Sequence, residues 1–190
     1  GHVPRLGAPV ARDLEPLDGD VTLRVDLDHR GLPGRRLQRR AVEDDRLAKA
    51  LRYIRDKTKI AVASLECLYG RRDYRPYFEN ASVDVCIIDV PWNGFAESVK
   101  IASMAEAFEM NVAPHNFYGH LSTFMSAHLS AVVPNLRIME IDPDQVPWQD
   151  DLFTVKPKIK DGYMSLPEGP GWGTDVNEAA VKAHPPKGDW

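Results

Sequence analysis

Four titratable side chains, Glu66, Asp89, His115 and Glu140, each stand at the carboxyl end of a short apolar run in this 190-residue chain. A carboxylate beside an imidazole orients the ring and favours its charged form. One nitrogen can then take a proton from carbon or return one to a departing hydroxide. A lone acid after a strand usually caps a helix or faces water, and a lone histidine there is usually structural. Four in succession form a constellation. Asp89 and His115 fall on neighbouring strands, close enough to pair.

The segments that must position them alternate. KIAVAS (Lys59 to Ser64), VDVCIID (Val83 to Asp89), NVAP (Asn111 to Pro114) and LRIMEI (Leu136 to Ile141) read as strands. Their centres, Val62, Val85, Val112 and Ile138, lie 23, 27 and 26 residues apart. EDDRLAKALRYIRDKT carries Leu47, Leu51 and Ile54 at helical spacing behind an acidic start. RRDYRPYFEN holds a short helix, FAESVKIASMAEAFEM a second with Phe95, Val99, Ala102 and Phe108 inward, and LSTFMSAHLSAVV a third. PWNG reads as a turn. Apolar strands separated by helices at even spacing specify a parallel sheet covered by helices. In a (β/α)8 barrel the carboxyl ends of such strands carry the active site.

Residues 1–44 differ in kind. The first 46 residues contain no Ile, Phe, Tyr, Trp, Met, Lys, Asn, Ser or Cys, yet hold nine of the fifteen arginines. Such a leader buries little surface to offset its ordering entropy, so the expectation is a disordered or loosely packed segment. Only Val21–Leu27 alternates like a strand. The sharper alternative is a misread reading frame, because the absent residue types are those of AT-rich codons. The organisation expected is therefore a leader (1–44), a barrel portion (45–142) and a Pro/Gly-rich tail (143–190), the last with KPKIK as a solvated hairpin and GPGWG as a rigid return loop.

Composition excludes several functions. The net charge of -4 disfavours a nucleic-acid partner, and nine arginines in residues 1–46 are balanced by nine acids. No apolar run reaches the roughly 20 residues of a spanning helix. Cys67 and Cys86 sit in strand-like segments without metal-ligand spacing, as expected of reduced core residues in a cytoplasmic protein. The single glycine of PWNG makes no phosphate loop. His120 and His128 flank the third helix in packing or capping positions, with His120 also a candidate pocket residue. Trp92, Asn116, Phe117, Tyr118 and His120 fall where substrate-pocket walls would stand.

At AVASLECLYG, VDVCIIDVPWNG, NVAPHNFYGH and NLRIMEID the sequence resembles the last four barrel units of the enolase superfamily, in its mandelate racemase and acid-sugar dehydratase branch. The resemblance covers about Asp45 to His184. It implies an α/β fold, a partial (β/α)8 TIM barrel of about four C-terminal βα units plus the tail. It implies that Glu66 is the last of three carboxylates binding Mg2+. Asp89 and His115 match the acid–base dyad, and Glu140 the acid that hydrogen-bonds the substrate carboxylate. The reaction implied is removal of the proton α to a carboxylate, with the metal stabilising the enediolate. In a dehydratase, loss of a β-hydroxyl follows. The substrate would be a sugar acid or another hydroxy-carboxylate, and the complete parent a homo-oligomer.

Departures from the pattern shape the expectation for this chain. No KxK or KxR motif precedes the first strand, so the second acid–base group is missing. Asp26 and Asp28 could imitate the first of the missing metal carboxylates, but Asp26 lies 40 residues before Glu66, too near for two units, and Glu43, at about one unit's spacing, follows LQRRAV, which is no core strand. One carboxylate does not hold Mg2+, which prefers octahedral oxygen ligation. A half-barrel also exposes two sheet edges that invite association. The chain is therefore expected to be catalytically incomplete alone. The alternatives are a non-catalytic half-barrel remnant and a racemase, epimerase or cycloisomerase of the same superfamily. A barrel hydrolase is disfavoured because no HxH pair ends a strand.

Overall fold

In the computed structural model the chain is described over residues 33–142 and 146–185, with side chains from residue 45 onward. The leader's expected strand, with Asp26 and Asp28, lies outside these residues, as does the side chain of Glu43. The first helix, α1 (Pro33–Lys57), starts well before the expected acidic stretch, so the boundary drawn at residue 44 falls inside a continuous helix. It buries Ala48 and Leu51, three residues apart on one face.

Three strands follow, β1 (Ala63–Ser64), β2 (Val85–Asp89) and β3 (Asn111–His115), paired in that order and all parallel. Between β1 and β2 runs α2 (Gly70–Glu79), whose Tyr74, Tyr77 and Phe78 turn inward at i, i+3 and i+4. Between β2 and β3 lie a single helical turn, α3 (Val90–Asn93), and α4 (Phe95–Ala107). The PWNG turn is thus helical and stops at Gly94, whose φ of 74° and ψ of 152° an L side chain rarely adopts. α5 (His120–Val132) follows β3. The helices cover one face of the sheet, where Tyr74, Phe78, Ile101, Ala105 and Leu129 pack against Cys86, Ile88 and Val112. That buried layer supplies the main driving force for the fold. α4 buries Ser98, Ile101, Ala102 and Ala105, with Phe95 and Val99 partly buried against the same core, so of the four residues expected at helical spacing Phe108 alone is exposed.

The amino end of the sheet is clasped by one acid. Asp84 accepts from Val62 N at 2.8 Å and from Arg55 Nε at 2.7 Å, joining α1, β1 and β2. β1 is shorter than expected at its amino end, where residues 59–62 are not paired as strand, and at its carboxyl end the φ of 101° at Leu65 stops the extended run where expected. Positive φ in a branched residue costs about 1–3 kcal/mol, and it falls beside Glu66. Cys67 lies in the turn beyond β1 rather than in a strand, and Cys67 and Cys86 form no disulfide.

The expected fourth strand does not form a regular ladder. Val112 donates to Asn135 O at 2.8 Å and accepts from Arg137 N at 2.9 Å, so residues 135–137 run parallel to β3 at a single bridge, Val112↔Leu136. The next β3 residue facing that edge is Pro114, which has no N–H to donate. Pairing resumes only as a longer bond, Glu140 N to Pro114 O at 3.3 Å. Ile138 is left exposed.

The tail folds back on this frame. After a 3-10 turn (Gln149–Leu152), β4 (Lys158–Lys160) and β5 (Tyr163–Ser165) form an antiparallel hairpin containing Lys158 and Lys160 of KPKIK, and α6 (Glu178–Ala183) follows. Gly173 N donates to Pro170 O at 3.1 Å, and a Cβ on Gly173 would meet Pro167 at 2.6 Å, so the GPGWG loop is tightly fixed. It presents Trp172 to Phe95 of α4 and His128 of α5, with ring centroids 5.6 and 5.4 Å away. No helix among the described residues is long and apolar enough to cross a membrane.

Candidate active site

β2 and β3 place Asp89 and His115 directly opposite each other at the carboxyl edge of the sheet. His115 is the last residue of β3 itself, so its backbone is fixed by the ladder. Asp89 ends β2 and caps α3, with Oδ1 accepting from Trp92 N at 2.8 Å. The turn beyond it is pinned by Asn93, which donates to Asp89 O and Leu68 O and accepts from Gly70 N.

The Asp89 carboxylate is 1% exposed and its second oxygen receives two donors. Oδ2 lies 2.9 Å from His115 Nδ1 and 2.6 Å from the Tyr118 hydroxyl. A carboxylate only accepts, so His115 carries its hydrogen on Nδ1 when neutral and leaves Nε2 as the free base. Nε2 stands 3.6 Å from Glu140 Oε2, too far for a hydrogen bond but close for electrostatic attraction. The hydrogen bond to Asp89 raises the imidazole's pKa; partial burial opposes this, and the charges of Glu140, Asp89 and Glu66 add to it. Burial and Asp89 push the Tyr118 phenol well up, so it remains a donor at neutral pH.

Glu140 is held without a strand. Its Oε2 accepts from Asn116 N at 2.8 Å, while Asn116 Nδ2 donates to Glu140 O at 3.1 Å and Thr123 Oγ1 at 3.0 Å. Asn116 is wholly buried, a bracket beneath the site rather than a pocket wall. Among the other expected wall residues, Trp92 is exposed and stacked on Tyr69 at 5.1 Å, and Phe117 is exposed. His120 is not brought to the four. It is buried, bonded through Nε2 to Asp150 Oδ1 at 2.7 Å and packed on Phe153, where it fastens the tail to α5. The hydroxyl contact of Tyr118 and the stacking of Tyr69 were missed in the sequence. Their signal was an aromatic in the loops after β1 and β3.

Glu66 follows β1 at the same edge and is 8% exposed. Its Oε2 is buried without a hydrogen-bond partner, which suits an oxygen ligand of a hard cation. Yet no group of three or more His, Cys, Asp or Glu able to hold a metal occurs among the described residues. Glu66 fits as a single Mg2+ ligand; the described residues do not make the rest of a site.

Parallel strands backed by helices, with the polar residue of each βα junction on one edge, are the arrangement of a portion of a β/α barrel. The chain belongs to the family described as Enolase C-terminal domain-like, whose sequence profile matches residues 41–180. D-xylonate dehydratase of Haloferax volcanii is 32% identical over 139 residues, taking in 73% of this chain and 34% of that protein. A Burkholderia xenovorans crystal structure described as an L-alanine-DL-glutamate epimerase, bound to magnesium and fumarate, is 49% identical with a TM-score of 0.72. It covers 74% of this chain and 35% of that one. An Agrobacterium tumefaciens enolase of the mandelate racemase subgroup is 33% identical with a TM-score of 0.65, covering 74% and 38%. The chain thus spans about a third of the length of each of these relatives. Family and fold agree with the resemblance read from the strand-end motifs.

Proposed function

We propose that the chain carries the proton-transfer side of a Mg2+-dependent lyase that removes the proton α to a carboxylate and dehydrates a sugar acid. The observation that carries this reading is the His115 imidazole, held by Asp89 with Nε2 free and facing Glu140. Its support is the acid-sugar dehydratase relative. The metal, bound in part by Glu66, would stabilise the enediolate. His115 Nε2 takes the α-proton while Asp89 balances the imidazolium charge. The same Nε2–H then protonates the β-hydroxyl, which leaves as water, and the enol product tautomerises to a 2-keto-3-deoxy acid. Glu140 contacts the substrate's carboxylate end, with Trp92 and Phe117 at the rim. Lacking the other metal carboxylates among its described residues, the site is incomplete as it stands. Two cysteines that form no disulfide, and the absence of a spanning helix among the described residues, fit a cytoplasmic setting.

A second reading, epimerisation, is favoured by the 49% identical Burkholderia structure. It uses the same first proton transfer and differs in the fate of the intermediate. One experiment addresses both. Xylonate, gluconate, galactonate and an alanyl-glutamate dipeptide are incubated with Mg2+ in D2O, using the chain alone and a chimaera in which residues 41–180 replace the matching segment of the Haloferax enzyme. A 2-keto-3-deoxy product carrying deuterium at C3 is expected from the chimaera and is expected to be lost in His115→Asn. Deuterium with inverted configuration and no keto acid selects epimerisation. Wild-type exchange in His115→Asn removes the assignment. The chain alone is expected to show no turnover.

A further inference from the structure

We propose that Tyr118 is a positioning residue of the Asp89–His115 pair, its hydroxyl sharing one carboxylate oxygen with the imidazole and thereby fixing where Asp89 points and how much of its charge His115 receives. This rests on His115 as the proton-transfer residue and adds a third member to that pair.

The geometry is specific. Asp89 Oδ2 accepts the Tyr118 hydroxyl at 2.6 Å and His115 Nδ1 at 2.9 Å, while Oδ1 is taken by Trp92 N. An O–H···O⁻ distance in this range marks a charge-assisted bond, the stronger class. In a nearly fully buried carboxylate two donors on one oxygen divide its charge, and each weakens the other's share. The Tyr118 ring also stands edge-on to the imidazole, centroids 5.7 Å apart at 90°, so ring and hydroxyl together limit rotation of both partners. The groups facing His115 are Asp89 from β2, Glu66 from the turn after β1, Glu140 from the segment beside β3, and Tyr118 from its own loop. Those facing Tyr118 are Asp89, Cys67 and Tyr69. Tyr118 is the donor among them that can be deleted without altering a charge.

The test is an NMR titration of the histidines in the full chain, which needs neither metal nor substrate. Tyr118→Phe keeps the ring and removes the donor. The carboxylate's charge then falls more fully on the imidazole, and the His115 midpoint is expected to rise by about half to one pH unit, the other histidines staying in place. A second protein carrying 3-fluorotyrosine at position 118, a more acidic phenol and stronger donor, is expected to move the midpoint down. If Tyr118→Phe fails to fold, the fluorotyrosine protein decides the matter alone. An unmoved midpoint, or shifts of the opposite sign, overturns the proposal. A chain whose His115 titrates as expected while the chimaera never exchanges an α-proton would instead refute the catalytic reading and leave the positioning role standing.

Discussion

Asp89 and His115 occupy matched positions on adjacent parallel strands, and the aspartate meets the imidazole at Nδ1 rather than Nε2. That choice of nitrogen decides the chemistry. Register across β2 and β3 brings the two side chains together on one face of the sheet. The buried carboxylate selects the tautomer, and the other nitrogen, Nε2, is turned toward Glu140.

Replacing Asp89 by Asn tests that relationship. An amide offers one accepting oxygen to the three donors that now converge on the carboxylate from Trp92, Tyr118 and His115. Its NH2 would face at least one of them. The His115 tautomer is then no longer fixed. In the chimaera, α-proton exchange is expected to fall by about 10²–10⁴-fold, the range of a general acid–base group. Nitrogen chemical shifts of His115 should show a mixture of tautomers. A single Nδ1–H tautomer with unaltered exchange would refute the role given to Asp89.

Folding stability should decline with rising pH in the neutral range. His115 is held above its ordinary value, first by the Asp89 hydrogen bond. A group raised in the folded state contributes stability that is fully present below its unfolded value, about 6.5, and is lost as pH climbs through the folded value. Glu97 and Asp150 act at the acid end with the opposite sense. Arg71 holds Glu97 low, and Lys156 and His120 hold Asp150 low, so that contribution is lost as pH falls. Urea denaturation across the neutral range should show the first slope in the wild type and a flatter one in His115→Gln. Identical slopes would remove the coupling.

The even spacing of Val62, Val85, Val112 and Ile138 was enough to read three parallel strands and the edge on which the polar residues stand, because each βα unit repeats the same length of chain. The ladder's failure beyond Leu136 was not readable in the same way. Pro114 is visible in the sequence, but its missing N–H matters only once one knows which edge of β3 it faces. In α4 the helical spacing of Phe95, Val99 and Ala102 was legible, whereas the full burial of Ile101 and of the small Ser98 and Ala105 was not, because it depends on how closely the helix approaches the sheet. At the site, the acids and the histidine were legible by type and position. Asn116 and Tyr118 were legible only as loop residues, since their roles depend on bonds across 24 and 29 residues of chain.

Asp150 fastens the tail to α5 through His120 and is itself held by Lys156 of the tail. It accepts from His120 at 2.7 Å and from Lys156 at 2.6 Å. Asp150→Asn keeps the shape and weakens both charge-assisted bonds. Amide hydrogen exchange is expected to quicken over residues 146–185 while β2 and β3 keep their protection. Uniform quickening would show instead that tail and sheet unfold as one unit.

Gly94 should resist substitution for a conformational reason alone. Its φ of 74° and ψ of 152° belong to a region nearly closed to L residues, yet a Cβ there would meet nothing within 4 Å. Gly94→Ala therefore isolates backbone strain. A loss of about 1–3 kcal/mol by chemical denaturation is expected. A loss below about 0.5 kcal/mol would mean that the α3–α4 junction readjusts at little cost.

Glu66 sets stability against function most directly. It lines a cavity of about 110 Å3 among Leu47, Leu51, Leu65 and Leu68, and its Oε2 is buried without a partner. A buried carboxylate oxygen with no hydrogen bond is costly, and a neutral amide in its place is less so. Glu66→Gln is therefore expected to leave the metal-free chain as stable as the wild type or more stable, by up to about 1 kcal/mol. In the chimaera, where the remaining carboxylates are supplied, the same change removes a negatively charged Mg2+ ligand. The wild-type chimaera should gain thermal stability as Mg2+ is added, following the linkage of ligand binding to folding, and the Glu66→Gln chimaera should gain much less. Calorimetry on both pairs, with and without Mg2+, reads the two effects separately. A destabilised metal-free variant, or an undiminished Mg2+ response, would assign Glu66 a structural role instead.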